Sequence, residues 1–435
     1  MRARLRRPGL QNLAALTVIQ GSNALVPLLI VPFALATVGA TAYAQIAITE
    51  AISAFVLAAV LFSFDVDGVA RIARLGSDAT RHALGAVFGE VLIARLIVFA
   101  VIAPLTLLAY HLAGGSSPYL LALWCLIPLG HVFHAYWFYQ ATEQNLPPAA
   151  ITLTSRIVTL ALIYGLLGGP QDAALVPLAI GGPFVIAGLL STAYIVARLR
   201  IPVRGVRIAA VMRSLVGGKE IFAGNVAVSL YREMNVVILG IVGVPAAGIS
   251  AYALVEKSIK MLQAVTRPLN QFFFPKVLRA IGDDDRPSVH VARVVARYTR
   301  PQILAVLGLI VVVPFLYLAA AQVFPRLRTL GDLPGVWTMA AIMAPAMPLG
   351  IANFMFGTAG LNALGQRRYL FLAILVTGAA STAMCFAFGS AIGAVGAALC
   401  FVCAEGLLLA LVLLRYLRQP TATAETPVGL QKGRQ

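Results

Sequence analysis

Long apolar stretches alternate with short polar joints from one end of the chain to the other. Twelve can be drawn, at roughly 12–36, 43–64, 84–110, 118–140, 149–168, 173–198, 219–243, 246–274, 300–324, 336–362, 369–390 and 393–416. At 1.5 Å per residue, a helix over each reaches across a hydrocarbon core about 30 Å thick. The pattern therefore predicts an all-α integral membrane protein with about twelve transmembrane helices. Joints such as 37–42 and 243–247 are too short to hold a folded extramembrane domain.

Composition agrees with the pattern. The 435 residues are 60% hydrophobic and 11% charged, with a mean hydropathy of +0.89. A soluble globular domain carries about twice that share of charge. The formal net charge of +17 would suggest a nucleic-acid partner in a soluble protein. Here its placement says otherwise. With the N-terminus inside, two of the 33 Lys and Arg (Arg326 and Arg328) fall outside, six lie within the stretches away from their ends, and the rest sit on the cytoplasmic side or at the cytoplasmic ends of stretches. That is the positive-inside bias of a bacterial inner (plasma) membrane protein with both termini cytoplasmic. Topology and anionic headgroups account for the charge without nucleic acid.

The four cysteines, Cys125, Cys385, Cys400 and Cys403, lie inside stretches and read as apolar packing rather than disulfides or a redox pair. The basic opening from Met1 to Arg7 leads into an apolar stretch too long for a signal peptide, so a retained first helix is expected. Offsetting the chain by 209 residues aligns Gly39-Ala40-Thr41-Ala42-Tyr43-Ala44 with Gly248-Ile249-Ser250-Ala251-Tyr252-Ala253. Both segments open an even-numbered stretch, the second and the eighth. The repeat divides the chain into a six-helix bundle at 1–200, a basic cytoplasmic linker at 201–217 and a second six-helix bundle at 218–417. A disordered cytoplasmic tail follows at 418–435. Six helices per half make the repeats parallel, and in such folds the substrate site lies between the halves.

The six cations inside the stretches, Arg95, Arg156, Arg232, Lys257, Lys260 and Arg267, carry the functional reading. A cation at membrane depth is expensive and faces a protein interior or a water-filled cavity. In the eighth stretch Glu256, Lys260, Gln263 and Arg267 share one helical face. In the seventh, Asn225, Ser229 and Arg232 do the same, with Glu233 beside them. Gln20 and Asn23 form a polar patch on the first stretch, and Glu50 with Ser53 one on the second. Arg95 needs a partner, Arg156 is shallower and can snorkel, and Glu405 stands alone in the last stretch. His131-x-x-His134 lacks a nearby carboxylate or thiol, so no metal is expected there. Asp65-Val66-Asp67-Gly68 reads as a structural turn or a gate contact. No nucleophile elbow, P-loop or zinc motif occurs in the sequence. A cavity with more Arg and Lys than carboxylate attracts anions, so the expected cargo bears phosphate, pyrophosphate or acidic sugar. Without nucleotide motifs, energy must come from an ion gradient or from the cargo's own flux.

Several features together resemble one family. They are the Asn12–Pro32 segment with Gln20, Asn23 and Pro27, Gly39-x-x-x-Tyr43, and Asp65/Asp67-Gly68 with Arg71. Asn225–Gly240, Gly248-x-x-x-Tyr252 and Phe274-Pro275 follow in the second half. Their order and spacing are similar to the Wzx-type O-antigen and exopolysaccharide flippases of the multidrug/oligosaccharidyl-lipid/polysaccharide exporter superfamily. The resemblance implies a V of two six-helix bundles, with the first, second, seventh and eighth helices lining the lumen. It implies a non-enzymatic flippase that moves undecaprenyl-diphosphate-linked glycan across the lipid bilayer by alternating access. Polysaccharide polymerase and chain-length machinery are candidate partners. Arg232, Lys260, Arg267, Arg95 and Arg156 would bind the anionic head. Gln20, Asn23, Ser53, Asn225, Ser229 and Gln263 would line the lumen. Glu50, Glu256 and Glu233 would balance charge or couple H+ or Na+, with no other cofactor. Where many relatives carry Asp in the seventh helix this chain has Met234-Asn235, which weakens any ion-coupling role carried over to that helix. The alternative is a cation-coupled multidrug antiporter on the same fold, which calls for an acidic residue in the first helix, where none occurs. A membrane glycosyltransferase or polymerase would need a larger outer loop, and a non-transporting scaffold would leave the buried charges unused.

Overall fold

A computed structural model describes residues 10–76, 79–203, 206–281 and 288–418. Side chains at 10–14, 16–17, 24, 220, 230–231, 267–268, 271 and 288 lie outside that description. The predicted tail and the acidic run Asp283-Asp284-Asp285 also lie outside it. Within the described residues every regular element is helical. The N-terminal half holds α1 (Leu10–Leu61), α2 (Phe64–Leu75), α3 (Arg81–Leu112), α4 (Pro118–Trp124), α5 (Leu126–Phe133), α6 (Tyr136–Ala141), α7 (Leu146–Leu166) and α8 (Leu175–Ala193). The short α9 (Ile208–Gly217) leads into the C-terminal half: α10 (Lys219–Ile241), α11 (Ala246–Ile281), α12 (Ser288–Val323), α13 (Pro325–Gly331), α14 (Val336–Met343), α15 (Ala346–Ala352) and α16 (Arg367–Arg418). Eight stretches of the described residues are long and apolar enough to cross a membrane. The protein is an all-α integral membrane protein.

Two of those stretches are hairpins. Along α1, Gln20 and Leu57 line the same cavity, although a straight helix would hold residues 37 apart about 55 Å from one another. The chain turns back at Gly39, whose φ of 81° lies in the left-handed region that suits glycine. In α16, Ser381 Oγ and Cys400 Sγ are 3.5 Å apart, against about 28 Å on a straight helix. The reversal there is at Ile392–Gly393, with φ 63° at the glycine. Helices α10 and α11 have 23 and 36 residues, enough to span, and stand outside those eight stretches.

Other expected helices are broken for identifiable reasons. The stretch at 118–140 divides at Cys125 because Pro128 has no N–H to offer the preceding turn. It divides again at His134–Ala135, where ψ of His134 is 106°. Pro345 and Pro348 similarly divide 336–362 into α14 and α15, followed by a wide π-turn at Asn353–Leu361. The main apolar core runs through both halves, and α1 packs along both α10 and α11. A second core, with Phe64, Phe88 and Trp137, lies at the end where α9 docks by Val211 and Leu215.

Candidate functional site

The packing of α1 on α10 and α11 leaves a cavity of about 470 Å³ between the halves. Both arms of the α1 hairpin contribute, with Gln20 and Asn23 from one and Glu50 and Ser53 from the other. From across the cavity come Glu233 of α10 and Glu256, Lys257 and Lys260 of α11. Arg156 of α7 closes one side.

Each cation here already has an acceptor. Lys260 Nζ lies 3.0 Å from Glu233 Oε2 and 3.4 Å from Glu256 Oε1, and donates to the carbonyl of Arg232. Lys257 Nζ pairs with the Glu50 carboxylate and sits 5.8 Å from the centre of the Tyr43 ring. Arg156 donates from Nε and Nη2 to Asn23 Oδ1, at 3.2 and 2.9 Å, with its guanidinium 5.5 Å from the Phe184 ring. Behind Lys260 a buried relay runs into the C-terminal half. Tyr252 OH donates to Glu256 Oε1 at 3.1 Å, and Asn235 Nδ2 donates to Tyr252 OH at 2.9 Å. Asn235, the residue that departs from the family pattern, is fully buried in this relay.

Three expectations are corrected. The cavity is not cation-rich among its described lining residues: Arg156, Lys257 and Lys260 face Glu50, Glu233 and Glu256. The physical reason is desolvation, since a buried cation without a partner costs several kcal/mol. Arg232 does not line this cavity. It lines a second one of about 430 Å³ inside the C-terminal half, with Gln263, Thr266, Asn270, Asn353, Thr358 and Glu405. There Arg232 Nη2 donates to Gln263 Oε1 at 3.4 Å, and Asn353 Nδ2 to Glu405 Oε2 at 2.7 Å. The stripe on α11 is thus split, because α11 borders both cavities: Glu256 and Lys260 face the first, and Gln263 the second.

Arg95 belongs to neither cavity. Only 1% exposed, it donates to Asp65 Oδ1 at 2.6 Å and to the carbonyls of His131 and His134 at 3.1 and 3.4 Å. Those carbonyls are released by the break between α5 and α6, so Arg95 satisfies a helix defect rather than a ligand. The two histidines pack on aromatic rings, His134 stacking 3.8 Å from Tyr136 and His131 lying 4.7 Å from Phe184. No metal-binding cluster occurs among the described residues.

The remaining candidates sit apart. Asn225 Nδ2 donates to the carbonyl of Phe62 at 2.6 Å, joining α10 to the end of α1, and Ser229 Oγ donates to the carbonyl of Asn225. The backbone of Arg267 continues α11 beyond Lys260, and its side chain lies outside the described residues. Tyr252 and Asn235 are site residues to which sequence reasoning gives no role, and Lys257, counted among the six membrane-depth cations, is given no partner or place in the lumen by spacing. Lys257 stands about 100° round α11 from Glu256, off the polar stripe, and the repeat alone hinted that its neighbourhood faces α1.

A family model described as polysaccharide biosynthesis protein matches residues 10–279. A candidate O-antigen transporter of Escherichia coli (strain K12) is 22% identical over 269 residues, covering 61% of this chain and 64% of that protein. Its counterpart in Shigella dysenteriae is 23% identical over 280 residues, covering 62% and 68%. The matched part thus spans a little under two thirds of the first relative's length. Among solved structures, an inward-facing multidrug resistance MATE family transporter of the MOP superfamily aligns with a TM-score of 0.67. It is 14% identical, with 91% of this chain and 94% of that one covered. The lipid II flippase MurJ, in an inward closed conformation, aligns at 0.61 and 13% identity, covering 94% and 87%. The chain thus shares its fold with these two transporters.

Proposed function

The chain belongs to the polysaccharide biosynthesis protein family, and on that premise we propose that it is a flippase for lipid-linked polysaccharide precursors. The finer reading is that it moves undecaprenyl-diphosphate-linked repeat units from the cytoplasmic to the outer leaflet of the bacterial inner membrane. It does so by alternating access between the two halves. Counting the hairpins at Gly39 and Gly393 as two crossings each, and adding α10 and α11, supports twelve crossings. The curated relatives are transporters rather than enzymes.

One observation carries the reading: the main cavity lies between the halves, and its three cations are held by acceptors that a phosphate oxygen can replace. A net positive lumen is not required for that. A diphosphate head that enters exchanges with Glu233 and Glu256 on Lys260 and with Asn23 on Arg156. It keeps the cations paired throughout and never leaves one bare in the membrane. Arg and Lys suit this exchange differently, one as a planar fork and the other as a point charge. The displaced carboxylates are candidate carriers of a proton, which would link the exchange to an ion gradient. The polyprenyl tail stays in the bilayer.

The test is deletion of the gene in its native host, followed by analysis of lipid-linked oligosaccharides by leaflet and mass. Build-up of a lipid-linked repeat unit in the inner leaflet is expected, with loss of surface polymer. The wild-type gene should restore export and Lys260→Ala should not, although Lys260→Ala still reaches the membrane. An unchanged lipid-linked pool with altered drug tolerance would overturn the proposal in favour of drug export.

A further inference from the structure

Lys257 and Lys260 are three residues apart on α11, yet their partners come from opposite halves of the chain. Lys260 is held by Glu233, Glu256 and the carbonyl of Arg232, all in the C-terminal half. Lys257 is held by Glu50 and the Tyr43 ring, both on α1. Among the described residues, Arg71–Glu90 and Arg95–Asp65 are ion pairs within the N-terminal half. Lys257–Glu50 crosses from one half to the other. The other side-chain contacts between α1 or its end and the C-terminal half are not ion pairs: Ser250 Oγ to the carbonyl of Ala40, Asn225 to the carbonyl of Phe62, Phe62 stacked 4.6 Å from Phe222, and the Arg326 guanidinium 5.7 Å from the centre of the Phe33 ring.

Position and access add to this. Glu50 lies eleven residues, or about 16 Å, along α1 from the Gly39 turn, so the pair closes the part of the interface nearer that end. Both partners line the main cavity. The Glu50 side chain is 34% exposed and that of Lys257 17%, whereas Glu256 is 3% exposed. A solute in the cavity can therefore reach the Lys257–Glu50 pair, and the released carboxylate already has space to hydrate.

We infer that Lys257–Glu50 is a latch between the halves, and that a phosphate-bearing solute opens it by taking Lys257 from Glu50. The phosphate chemistry rests on the function proposed above, and the latch itself rests on the geometry alone. A ligand shifts a conformational equilibrium by its differential affinity for the two states. Here that difference has a named origin. In the latched state Lys257 serves a carboxylate of the opposite half. In the released state it serves the solute, whose several charged oxygens offer a stronger acceptor set than one carboxylate. Lys260, whose partners move with it, senses the same solute without reporting it to α1. The two lysines thus divide the work, Lys260 retaining the head and Lys257 converting its arrival into freedom of the halves.

The test uses the full chain in lipid nanodiscs, with Cys403, the exposed cysteine, replaced by Ser. Spin labels are placed at Leu112→Cys on α3 and Val323→Cys on α12, which are 76% and 70% exposed. Both positions lie at the Gly39 end, one in each half. Inorganic pyrophosphate should lengthen the inter-label distance in the otherwise native protein. Lys257→Ala and Glu50→Gln should each show the longer distance without pyrophosphate and respond no further. The charge-swapped double variant, Glu50→Lys with Lys257→Glu, should return to the shorter one. Glu50→Gln, which keeps side-chain shape, covers the case in which Lys257→Ala does not fold. Unchanged distances in both single variants, or no response of the native pair to pyrophosphate, would overturn the inference. These distances are read without transport, so a deletion strain that accumulates no lipid-linked oligosaccharide would overturn the proposed function and leave them standing.

Discussion

Ser250 Oγ donates a 2.6 Å hydrogen bond to the carbonyl of Ala40, so the two copies of the internal repeat touch each other. Each segment opens a cavity-lining helical arm, one just after the Gly39 turn and one in the first turns of α11. The repeat-related tyrosines divide the central charges in the same way. Tyr43 lies beside Lys257, and Tyr252 donates to Glu256.

That hydrogen bond should help hold the Gly39 end closed. Hydrogen bonds between membrane helices average about 0.6 kcal/mol, or roughly a threefold change in an open-to-closed ratio. Ser250→Ala should therefore raise the rate at which a membrane-impermeant maleimide labels a cysteine placed at Ala42 by about that factor. Equal rates in the two proteins would assign Ser250 to local packing.

Removing Arg95 should lower the amount of folded protein rather than the affinity for cargo. Its guanidinium joins the half-exposed Asp65 to the carbonyls of His131 and His134 at the helix break, and leaving buried acceptors without their donor costs about 1–3 kcal/mol. Arg95→Ala should give little monodisperse protein on size exclusion in mild detergent, whereas Lys260→Ala, in a wet cavity, should elute as the wild type does. A stable, transport-dead Arg95→Ala protein would return Arg95 to the cargo site.

The all-helical membrane fold was legible because apolar length is a property of single stretches. Even the turns at Gly39 and Gly393 fall where the sequence shows short joints. Of the candidate site, the sequence marks Lys260, Glu256, Glu233 and Glu50 as charged groups at membrane depth, and all four border the main cavity, but it does not show which of them pair. Spacing along one helix, however, cannot tell which of two cavities a stripe faces, and Arg232 and Gln263 border the second. Nor does it reveal that Arg95 caps a helix break, because the break at His134–Ala135 holds no proline, and the Ala135 N–H is taken up by Ser191 Oγ of α8. The expected cation excess rests partly on Arg95 and Arg232, which do not border the main cavity.

The α16 hairpin should tolerate no side chain at Gly396. A Cβ there would stand 2.1 Å from the carbonyl oxygen of Phe388, a backbone atom that cannot swing aside. Gly224 offers the control, with its nearest atoms on the Phe371 ring at 3.6 Å. Gly396→Ala should lower the melting temperature in detergent by an amount corresponding to overpacking, roughly 1–3 kcal/mol. Gly224→Ala, in ordinary contact, should melt close to the wild type. Matching melting curves would mean that the hairpin can open at Gly393 without loss.

Arg232 poses the sharpest choice between structure and cargo. It lines the second cavity with Glu405, whose carboxylate is 4% exposed and accepts from Asn353 Nδ2. If Arg232 is there to balance Glu405, Arg232→Ala leaves a carboxylate buried without a cation in that cavity and costs a few kcal/mol. Glu405→Gln removes the charge while its amide oxygen can still accept from Asn353. The double variant Arg232→Ala/Glu405→Gln should then recover most of the melting temperature and surface polymer lost by Arg232→Ala. If Arg232 instead contacts the cargo's phosphate, the double variant should be as deficient in polymer as the single one, whatever its melting temperature. Polymer output and thermal stability measured on the same three proteins separate the two outcomes.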